Sequence, residues 1–264
     1  MGHSGNGRFA RYDRQIRFGP WGRAGQEKLA QTRVAVVGCG GLGCVIATHL
    51  VRAGIGFVRL IDRERVSLDN LQRQILFLEE DAQAGRFKAA VAAERLRAAN
   101  SEVQIEGLVE SLGAENAAGL LADVDIVVDG TDNFHARFAM NEAAVKAGIP
   151  CVYGGVGGAS GMTMTIVPGK GPCLRCVFGE RAEGASGQAM GPEATRSTEP
   201  APAVLNTIVA TIASLECTEV YKLLLEPESR NRGLVCIDLW DETCWSCVAL
   251  ERDPSCPVCG TCVS

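Results

Sequence analysis

The sequence predicts an α/β fold with a Rossmann-like half, and three observations support this class. An apolar run at residues 34–37 ends in spaced glycines and is followed by apolar residues at helical spacing. A second apolar run, 57–61, ends in Asp62. Strand-like and helix-like segments then alternate as far as residue 153, which is typical of parallel βαβ units. We therefore expect a parallel sheet with a ligand site at the carboxyl ends of its strands.

The glycine turn is the strongest local signal. Gly38 and Gly40 allow the backbone to turn sharply near a phosphate, and Gly43 allows the next helix to pack close to the strand. The helix that follows, which includes Gly41, presents unpaired N–H groups and the positive end of its dipole to an anion. Asp62 lies 19 residues past Gly43, where an acid normally binds a ribose hydroxyl. The pattern favours a nucleotide site over a turn that serves packing alone.

The remaining elements follow from periodicity and turn residues. In the first part of the chain we expect helices at 21–30, 42–53, 87–99, 114–121 and 134–147, and strands at 34–37, 57–61, 103–107, 124–129 and 150–153. The pattern then changes to a strand at 161–168, a Gly/Pro-rich connection at 169–202, a helix at 203–225 and a hairpin of strands 234–239 and 243–251.

These elements predict a mixed sheet, parallel in the N-terminal half and antiparallel in the C-terminal half. We expect one domain, without internal repeats, made of an N-terminal helical segment (1–31), a nucleotide-binding half (32–156) and a second half (157–264). The second half contains a long crossover loop, 179–202, and such a length inside a compact domain usually indicates a functional loop.

Composition excludes several protein classes. Hydrophobic residues make up 47% and charged residues 22% of the 264-residue chain, which is typical of globular proteins. The formal net charge of −5 argues against a protein that coats nucleic acid. No apolar run approaches the ~20 residues that a membrane span needs, and the polar N-terminus lacks a signal-peptide core. We expect a cytoplasmic protein that binds neither membrane nor nucleic acid.

Three cations are candidates for stabilising phosphate charge. Arg73 and Lys88 follow the strand that ends in Asp62, and Arg14 precedes the first strand. If the loop that follows Asp62 folds back over the glycine turn, Arg73 and Lys88 could surround a triphosphate. Nucleotidyl transfer needs positive charge where negative charge develops, whereas hydride transfer does not. The grouping therefore favours nucleotidyl transfer, although each arginine alone is typical of a solvated surface.

The strand at 124–129 leads into a second polar group, Thr131, Asp132 and Asn133. Because this group lies at the carboxyl edge of the sheet, Asp132 is a candidate ligand for a magnesium ion that bridges phosphate oxygens. The alternative is that Asp132 or Asn133 caps the helix that begins at residue 134. The two roles are compatible.

Twelve cysteines in a chain without an export signal indicate metal or thiol chemistry rather than disulfides. Cys173 and Cys176 form one CxxC pair and Cys256 and Cys259 another, and together they predict a structural zinc site of four thiolates. A third pair, Cys244 and Cys247, lies in an expected strand, where residues three apart face opposite sides. Cys262 in the tail is a weaker competitor, and the remaining alternative is that the quartet consists of free buried thiols.

These motifs resemble, in order, those of the ThiF/MoeB/HesA family, whose members are similar to the adenylation domain of ubiquitin-activating enzymes. The matching residues are Arg14, Gln15, the turn at 38–43, Asp62, Asn70, Arg73, Gln74, Lys88, Thr131, Asp132 and Asn133. The resemblance implies ATP-dependent adenylation of the C-terminal glycine of a small ubiquitin-fold carrier protein, often a sulfur carrier ending in Gly-Gly.

By the same resemblance, Asp62 would hold the ribose, Asn70, Arg73 and Lys88 the phosphates, and Asp132 magnesium. Arg14 would reach across from the second subunit of a homodimer. The implied cofactors are ATP and Mg²⁺, with Zn²⁺ expected from the cysteine pairs.

The chain also departs from the family pattern. Many relatives carry a cysteine in the crossover loop for a covalent link to the carrier, whereas residues 179–202 contain none. We therefore expect the reaction to stop at the adenylate or to pass it to an external sulfur donor. The loop before Lys88 is longer than usual and lacks a proline, and Glu64 and Asp69 replace residues that are more often Asp and Ser.

Two other functions are compatible with parts of the sequence. A nicotinamide-dependent oxidoreductase would explain the glycine turn and Asp62 but not Arg14, Arg73 and Lys88. A non-catalytic, zinc-stabilised module that binds a ubiquitin-like tail would explain the cysteine pairs, and the altered loop before Lys88 is its best support.

Overall fold

One eight-stranded sheet, ordered β3-β2-β1-β4-β5-β6-β7-β8, organises the computed structural model, which describes residues 9–179, 203–241 and 243–260. The strands are β1 (Arg33–Val37), β2 (Phe57–Ile61), β3 (Gln104–Leu108), β4 (Ile126–Asp129), β5 (Cys151–Gly157), β6 (Ser160–Ile166), β7 (Gly233–Asp238) and β8 (Cys244–Ala249). The helices are α1 (Asp13–Ile16), α2 (Gly22–Leu29), α3 (Gly41–Ala53), α4 (Glu79–Gln83), α5 (Lys88–Ala99), α6 (Ala117–Leu120), α7 (Phe134–Ala147), α8 (Leu174–Phe178) and α9 (Asn206–Leu225).

The N-terminal half of the sheet is parallel, as the sequence predicts. β1 pairs in parallel with β2 and β4, β2 with β3, and β4 with β5. In this register Val37 lies beside Ile61 on one side and beside Asp129 on the other. The carboxyl ends of β1, β2 and β4 therefore meet at one edge, and the polar residues that follow these strands are brought together there.

The C-terminal half is antiparallel, which confirms the second part of the prediction. β5 pairs antiparallel with β6, β6 with β7, and β7 with β8. Every residue of β8 is exposed, and β8 forms the edge of the described sheet. The fold is therefore a Rossmann-like parallel half extended by an antiparallel half.

Helices cover both faces of the parallel half, so its strands are apolar on both sides. Val34 and Val36 pack in a core that also contains residues of α3, α5 and α9. Ala35 and Val37 pack on the other side, with residues of α6, α7 and α8. Since both faces are buried, the run in β1 is continuous rather than alternating.

Several element boundaries differ from the sequence predictions. The helix expected at 114–121 is reduced to α6, because the Asn116 side chain accepts from Gly113 N–H (2.8 Å) and donates to Ser111 C=O (2.9 Å), which forms a turn first. α9 begins at Asn206 rather than 203, because Leu205 N–H donates to Gly158 C=O (2.8 Å) and residue 205 is extended. Helices α1, α4 and α8 are short elements that periodicity did not predict.

The Gly/Pro-rich connection expected at 169–202 falls mostly on residues 180–202, which lie outside the described residues. Residue 242, between the two strands of the expected hairpin, also lies outside them. None of the helices in the described ranges is long and apolar enough to cross a membrane.

Candidate functional site

A cavity of about 340 Å³ opens at the carboxyl ends of β1, β2 and β4. Many of the candidate residues line it: Gly38, Gly40, Gly41, Asp62, Arg73, Lys88, Thr131, Asp132 and Asn133. Glu64, Glu110, His135 and Arg137 also line it. The loops of three parallel strands thus bring acids and cations around one glycine turn.

The glycine turn is required by close backbone contacts. Gly38 has a φ of +89°, and a Cβ there would lie 2.6 Å from the carbonyl oxygen of Gly130. A Cβ on Gly43 would collide with the carbonyl oxygen of Gly38. Gly40, the residue before α3, is less crowded, because a Cβ there would meet its nearest neighbour, Gln74 Nε2, only at 3.8 Å. Gly38 and Gly43 therefore serve the turn itself, and Gly40 leaves room beside the N-terminus of α3.

Asp62 holds the turn from the side of β2. Its Oδ2 accepts from Cys39 N–H (2.7 Å), and its Oδ1 accepts from Glu64 N–H (2.7 Å). Burial raises the pKa of Asp62, although these two hydrogen bonds oppose the shift. The carboxylate thus has a structural role in the turn, and Asp62 also lines the cavity. Each of its oxygens can accept a further hydrogen bond.

Arg73 and Lys88 both line the cavity, and different contacts hold their side chains there. Arg73 donates to the carbonyl oxygen of Asp69 (3.2 Å), and a Cβ on Gly41 would lie 3.4 Å from Arg73 Cγ, so its stem lies over the start of α3. Lys88, at the start of α5, forms an ion pair with Glu64 across 2.6 Å. Both cations therefore lie near the anion-binding end of α3.

Asn70 and Arg14 are not among the residues that line the cavity. Asn70 ends a 3₁₀ turn, and its carbonyl oxygen accepts from the N–H groups of Arg73 (3.1 Å) and Gln74 (3.0 Å). Arg14 is exposed on α1, whereas its neighbour Gln15 donates to Gln26 (2.5 Å) and to the carbonyl oxygen of Ala53 (2.8 Å). Within this chain Asn70 supports the turn that carries Arg73, and Arg14 stands apart from the cavity.

Asn133 caps α7, since its Oδ1 accepts from Ala136 N–H (2.9 Å). Asp132 is exposed, and its carboxylate has a long contact of 3.3 Å with Asn133 Nδ2. Thr131 Oγ1 donates to Asp129 Oδ1 (2.7 Å) and is thus directed away from solvent. The carboxylate oxygens of Asp132 are therefore available to bind a cation in the cavity, and carboxylate oxygens are suitable ligands for Mg²⁺.

Sequence reasoning missed Arg137, which lines the cavity and is 2% exposed. It forms a buried ion pair with Asp129 (3.1 Å) and donates to the carbonyl oxygens of Thr131 (2.7 Å) and Gly154 (3.1 Å). These bonds fix the loop after β4 relative to β5. The signal was present, because Arg137 falls on the apolar face of α7 three residues after Phe134.

The four favoured cysteines form one cluster between α8 and the C-terminal tail. The sulfurs of Cys173, Cys176, Cys256 and Cys259 all lie within 4.8 Å of one another. Cys173 Sγ is 3.7 Å from Cys256 Sγ, and Cys176 Sγ is 3.3 Å from Cys259 Sγ. Four sulfurs about 2.3 Å from a tetrahedral zinc lie roughly 3.8 Å apart, so the donor set fits zinc.

One cysteine of the cluster has an acidic thiol. Burial alone would raise the pKa of Cys256, but hydrogen bonds from the backbone of Cys259 and Val258 and from Cys176 outweigh it and lower the pKa to about 7. Cys244 and Cys247 lie in β8, are exposed and take no part in the cluster, as expected. Cys262 lies outside the described residues.

The family model described as "ThiF family" matches residues 12–258 of this chain. The chain belongs to the ThiF family. The match includes the loops around the cavity and three of the four clustered cysteines, and the fourth, Cys259, follows directly after its end. It confirms the resemblance drawn from the motifs.

Curated ThiF relatives cover nearly the whole chain. The "Sulfur carrier protein ThiS adenylyltransferase" of Bacillus subtilis is 41% identical over 252 residues, which are 95% of this chain and 71% of the relative. The "Sulfur carrier protein adenylyltransferase" of Thermus thermophilus is 36% identical over 255 residues, 95% of this chain and 90% of the relative.

A solved structure supports the same fold. The crystal structure of E. coli MccB with ATP superposes with a TM-score of 0.78 at 26% identity, and the match covers 97% of this chain and 75% of MccB. The ThiF-family architecture therefore extends over the parallel and the antiparallel halves alike.

Proposed function

We propose that this protein is an ATP-dependent adenylyltransferase that activates the C-terminal glycine of a small ubiquitin-fold sulfur-carrier protein. One observation carries the proposal: Asp62, Arg73, Lys88 and Asp132 line a single cavity around the N-terminus of α3. The named activities of the B. subtilis and T. thermophilus relatives support it.

The reaction joins the carrier's terminal carboxylate to the α-phosphorus of ATP, and pyrophosphate leaves. The attacking carboxylate already carries a negative charge, so no general base is needed. Arg73 and Lys88 stabilise the charge that develops on the phosphate oxygens, and Asp62 holds the ribose at the turn. Asp132, with its exposed carboxylate, would hold the magnesium ion, which neutralises phosphate charge when bound. The product is an acyl adenylate.

The two rival functions account for less of the site. A nicotinamide-dependent oxidoreductase has no use for Arg73 and Lys88 at the same cavity. A degenerate, non-catalytic site would not need them either, and the long loop before Lys88 still returns this lysine to the cavity wall.

The test is ATP–pyrophosphate exchange with a candidate carrier protein. We expect exchange that depends on the carrier and is lost when its terminal glycine is deleted. Hydride exchange with a nicotinamide cofactor, without any pyrophosphate exchange, would contradict the proposal.

The active form in this proposal is a homodimer in which Arg14 completes the partner's site. The exposed position of Arg14, away from its own cavity, supports this arrangement. Mixing inactive Arg14→Ala with inactive Asp132→Ala subunits should restore part of the activity, because one site of the mixed dimer then has both residues. Subunits that exchange without any recovery would exclude action in trans.

Zinc bound by the four clustered thiolates would connect the C-terminal tail to α8. Two CxxC pairs 83 residues apart in sequence then act as a cross-link between distant segments. We expect about one zinc per chain, as a single four-thiolate site requires.

We propose that the reaction stops at the adenylate, or that the acyl group passes to an external sulfur donor with release of AMP, and that no covalent intermediate forms on the enzyme in either case. Cys217, the nearest cysteine after the crossover loop, is buried in α9, and burial raises its pKa well above the ordinary value, so its thiolate is scarce. Intact mass after incubation with ATP and carrier should show no adduct. A thiol-labile adduct that disappears with one Cys→Ala change, Cys244→Ala for example, would refute this step.

A further inference from the structure

Lys88 lies at the base of a long excursion of the chain. Two short segments, 64–66 and 86–88, run antiparallel: Val66 N–H donates to the carbonyl oxygen of Arg86 (2.9 Å), and Lys88 N–H donates to that of Glu64 (2.8 Å). The residues between them, including Arg73, form the loop over the glycine turn. Glu64 and Lys88 therefore face each other where the loop leaves and re-enters the fold.

Glu64 makes a second contact with Lys88 through its side chain. Its Oε2 lies 2.6 Å from Lys88 Nζ, and its backbone N–H donates to Asp62 Oδ1 (2.7 Å). The Lys88 side chain is 4% exposed, whereas that of Glu64 is 58% exposed. An almost buried ammonium thus has a carboxylate partner that is itself largely in water.

We infer that Glu64 is a positioning residue, which holds the Lys88 ammonium in place at the cavity before the nucleotide binds. The inference rests on the proposed adenylation. An ammonium has three N–H donors, so one bond to Glu64 leaves two for phosphate oxygens. A lysine that is already held loses less side-chain freedom when the triphosphate arrives.

The charges around Lys88 make Glu64 the dominant partner. Asp62 and Asp69 also interact electrostatically with Lys88, as do the thiols of Cys39 and Cys44. Asp62 is engaged by two backbone N–H groups, Asp69 accepts from Ser67 Oγ (2.5 Å), and burial raises the pKa of both thiols, which keeps them neutral. Arg73 faces the same cavity and adds positive charge.

Two possible roles of Glu64, positioning Lys88 or acting only as a solvated acid, predict different effects of the Glu64→Gln change on exchange activity. If Glu64 only adds negative charge to the cavity, Glu64→Gln should strengthen ATP binding and leave kcat unchanged. If Glu64 positions Lys88, the same change should lower kcat, and Glu64→Asp, which keeps the carboxylate, should restore part of it.

The experiment measures carrier-dependent exchange against ATP concentration at one pH in wild type, Glu64→Gln, Glu64→Asp and Glu142→Gln. We expect Glu64→Gln to lower kcat about tenfold, as loss of one charge-assisted hydrogen bond does, with a smaller effect on the KM for ATP. Glu64→Asp keeps a carboxylate and should lie between wild type and Glu64→Gln. Glu142→Gln removes the acid of an exposed pair with Lys146 and should match wild type.

A Glu64→Gln variant with the kcat of wild type, with or without a lower KM for ATP, would overturn the inference. A second readout is independent of adenylation: the rate of amine-reactive labelling of Lys88 at one pH, measured by mass spectrometry with Lys146 as reference. Labelling should be faster in Glu64→Gln, and in Glu64→Asp to a smaller extent, because Lys88 Nζ is no longer held by Glu64, and identical labelling in all three proteins would also overturn the inference. Absence of exchange in wild type with altered Lys88 labelling in the variants would reject the proposed function and retain the role of Glu64.

Discussion

The two halves of the sheet are held together in different ways. In the parallel half, the residues of the cavity are fixed by hydrogen bonds from buried backbone and side chains, as for Asp62 and Arg137. In the antiparallel half, β8 is exposed at every residue, and the chain that follows it returns to the fold at Cys256 and Cys259. The parallel half is buried on both faces, whereas the antiparallel half ends in an exposed edge strand that is followed by a segment packed at the cysteine cluster.

This difference suggests that the parallel half serves the reaction, whereas the cysteine cluster serves the stability of the C-terminal segment. The cavity needs fixed donors and acceptors, because electrostatic stabilisation works only when the groups are already oriented. At the tail, where Cys256, Val258 and Cys259 are buried, the proposed zinc would add a cross-link, and its binding energy would be folding energy. Changes in the parallel half should therefore affect activity most, and changes in the cysteine cluster should affect stability most.

The largest expected effect is on activity, in the parallel half. Arg73→Ala should lower exchange roughly 10²–10³-fold, because it removes charge stabilisation from the phosphates. Its melting temperature should stay close to wild type, since the side-chain hydrogen bond that the structure describes for Arg73 is a single 3.2 Å contact with Asp69. Arg232→Ala, which removes an exposed arginine paired with Glu228, is the matched control and should keep full activity. Equal losses in both variants would contradict the assignment.

The next effect is on stability, in the antiparallel half. If the cluster binds zinc as proposed, Cys256→Ser should abolish this binding and lower the melting temperature by on the order of 5–10 °C, the shift expected for loss of a few kcal/mol. Faster amide exchange should be confined to residues 244–260 and should leave 33–61 unchanged. Metal analysis, calorimetry and hydrogen exchange measure these changes. Cys244→Ser is the control, and zinc lost in this variant but kept in Cys256→Ser would show that the cluster was assigned wrongly.

The features of the two halves that depend on neighbouring residues could be predicted from the sequence. The turn at Gly38, the alternating elements and the strand nature of the segment with Cys244 come from periodicity and spacing, and the structure confirms them. The grouping of Cys173 with Cys256 follows from CxxC spacing and from the exclusion of Cys244. These signals are local or depend on known coordination chemistry, so no tertiary information is needed to see them.

The rest depends on tertiary contacts that spacing does not encode. The partner of Lys88 is Glu64, because residues 64–66 and 86–88 pair across a long loop. Arg137 can be buried because it forms an ion pair with Asp129 and donates hydrogen bonds to two carbonyl oxygens, where α7 packs against β4 and β5. A helix pattern shows that such a residue faces inward but does not show what it meets there.

A smaller effect should appear in α9, which packs against both β5 and α3. Glu216 is fully buried, neither carboxylate oxygen has a hydrogen-bond partner among the described residues, and burial raises its pKa well above the ordinary 4.5. Between pH 4.5 and that raised pKa the unfolded chain releases a proton that the folded chain keeps. The free energy of unfolding therefore falls as pH rises through this window, by up to about 1.4 kcal/mol per pH unit.

Glu216→Gln should remove this slope and raise stability at pH 8 by about 1–3 kcal/mol relative to wild type. Denaturant unfolding at pH 5 and pH 8 measures the difference. Glu219→Gln is the contrast on the same helix, because Glu219 accepts from Thr165 Oγ1 (2.9 Å), Asn231 N–H (2.8 Å) and Lys222 Nζ (2.8 Å), and this variant should be less stable than wild type. Equal pH slopes in wild type and Glu216→Gln would show that the carboxyl group finds a partner.

The smallest expected effect distinguishes two roles of Asn133 at the cavity. As the cap of α7, its Oδ1 accepts from Ala136 N–H, so Asn133→Ala should lower the free energy of unfolding by about 1 kcal/mol. Asn133→Ser keeps a capping oxygen and should retain stability. If Asn133 serves only as the cap, the serine variant also retains exchange activity, because Asp132 and Thr131 stay in place. If the amide also contacts the nucleotide, the serine variant is stable but has a raised KM for ATP. Unfolding and exchange measured on the same preparations separate the two roles, and a serine variant as unstable as the alanine variant would argue against the cap.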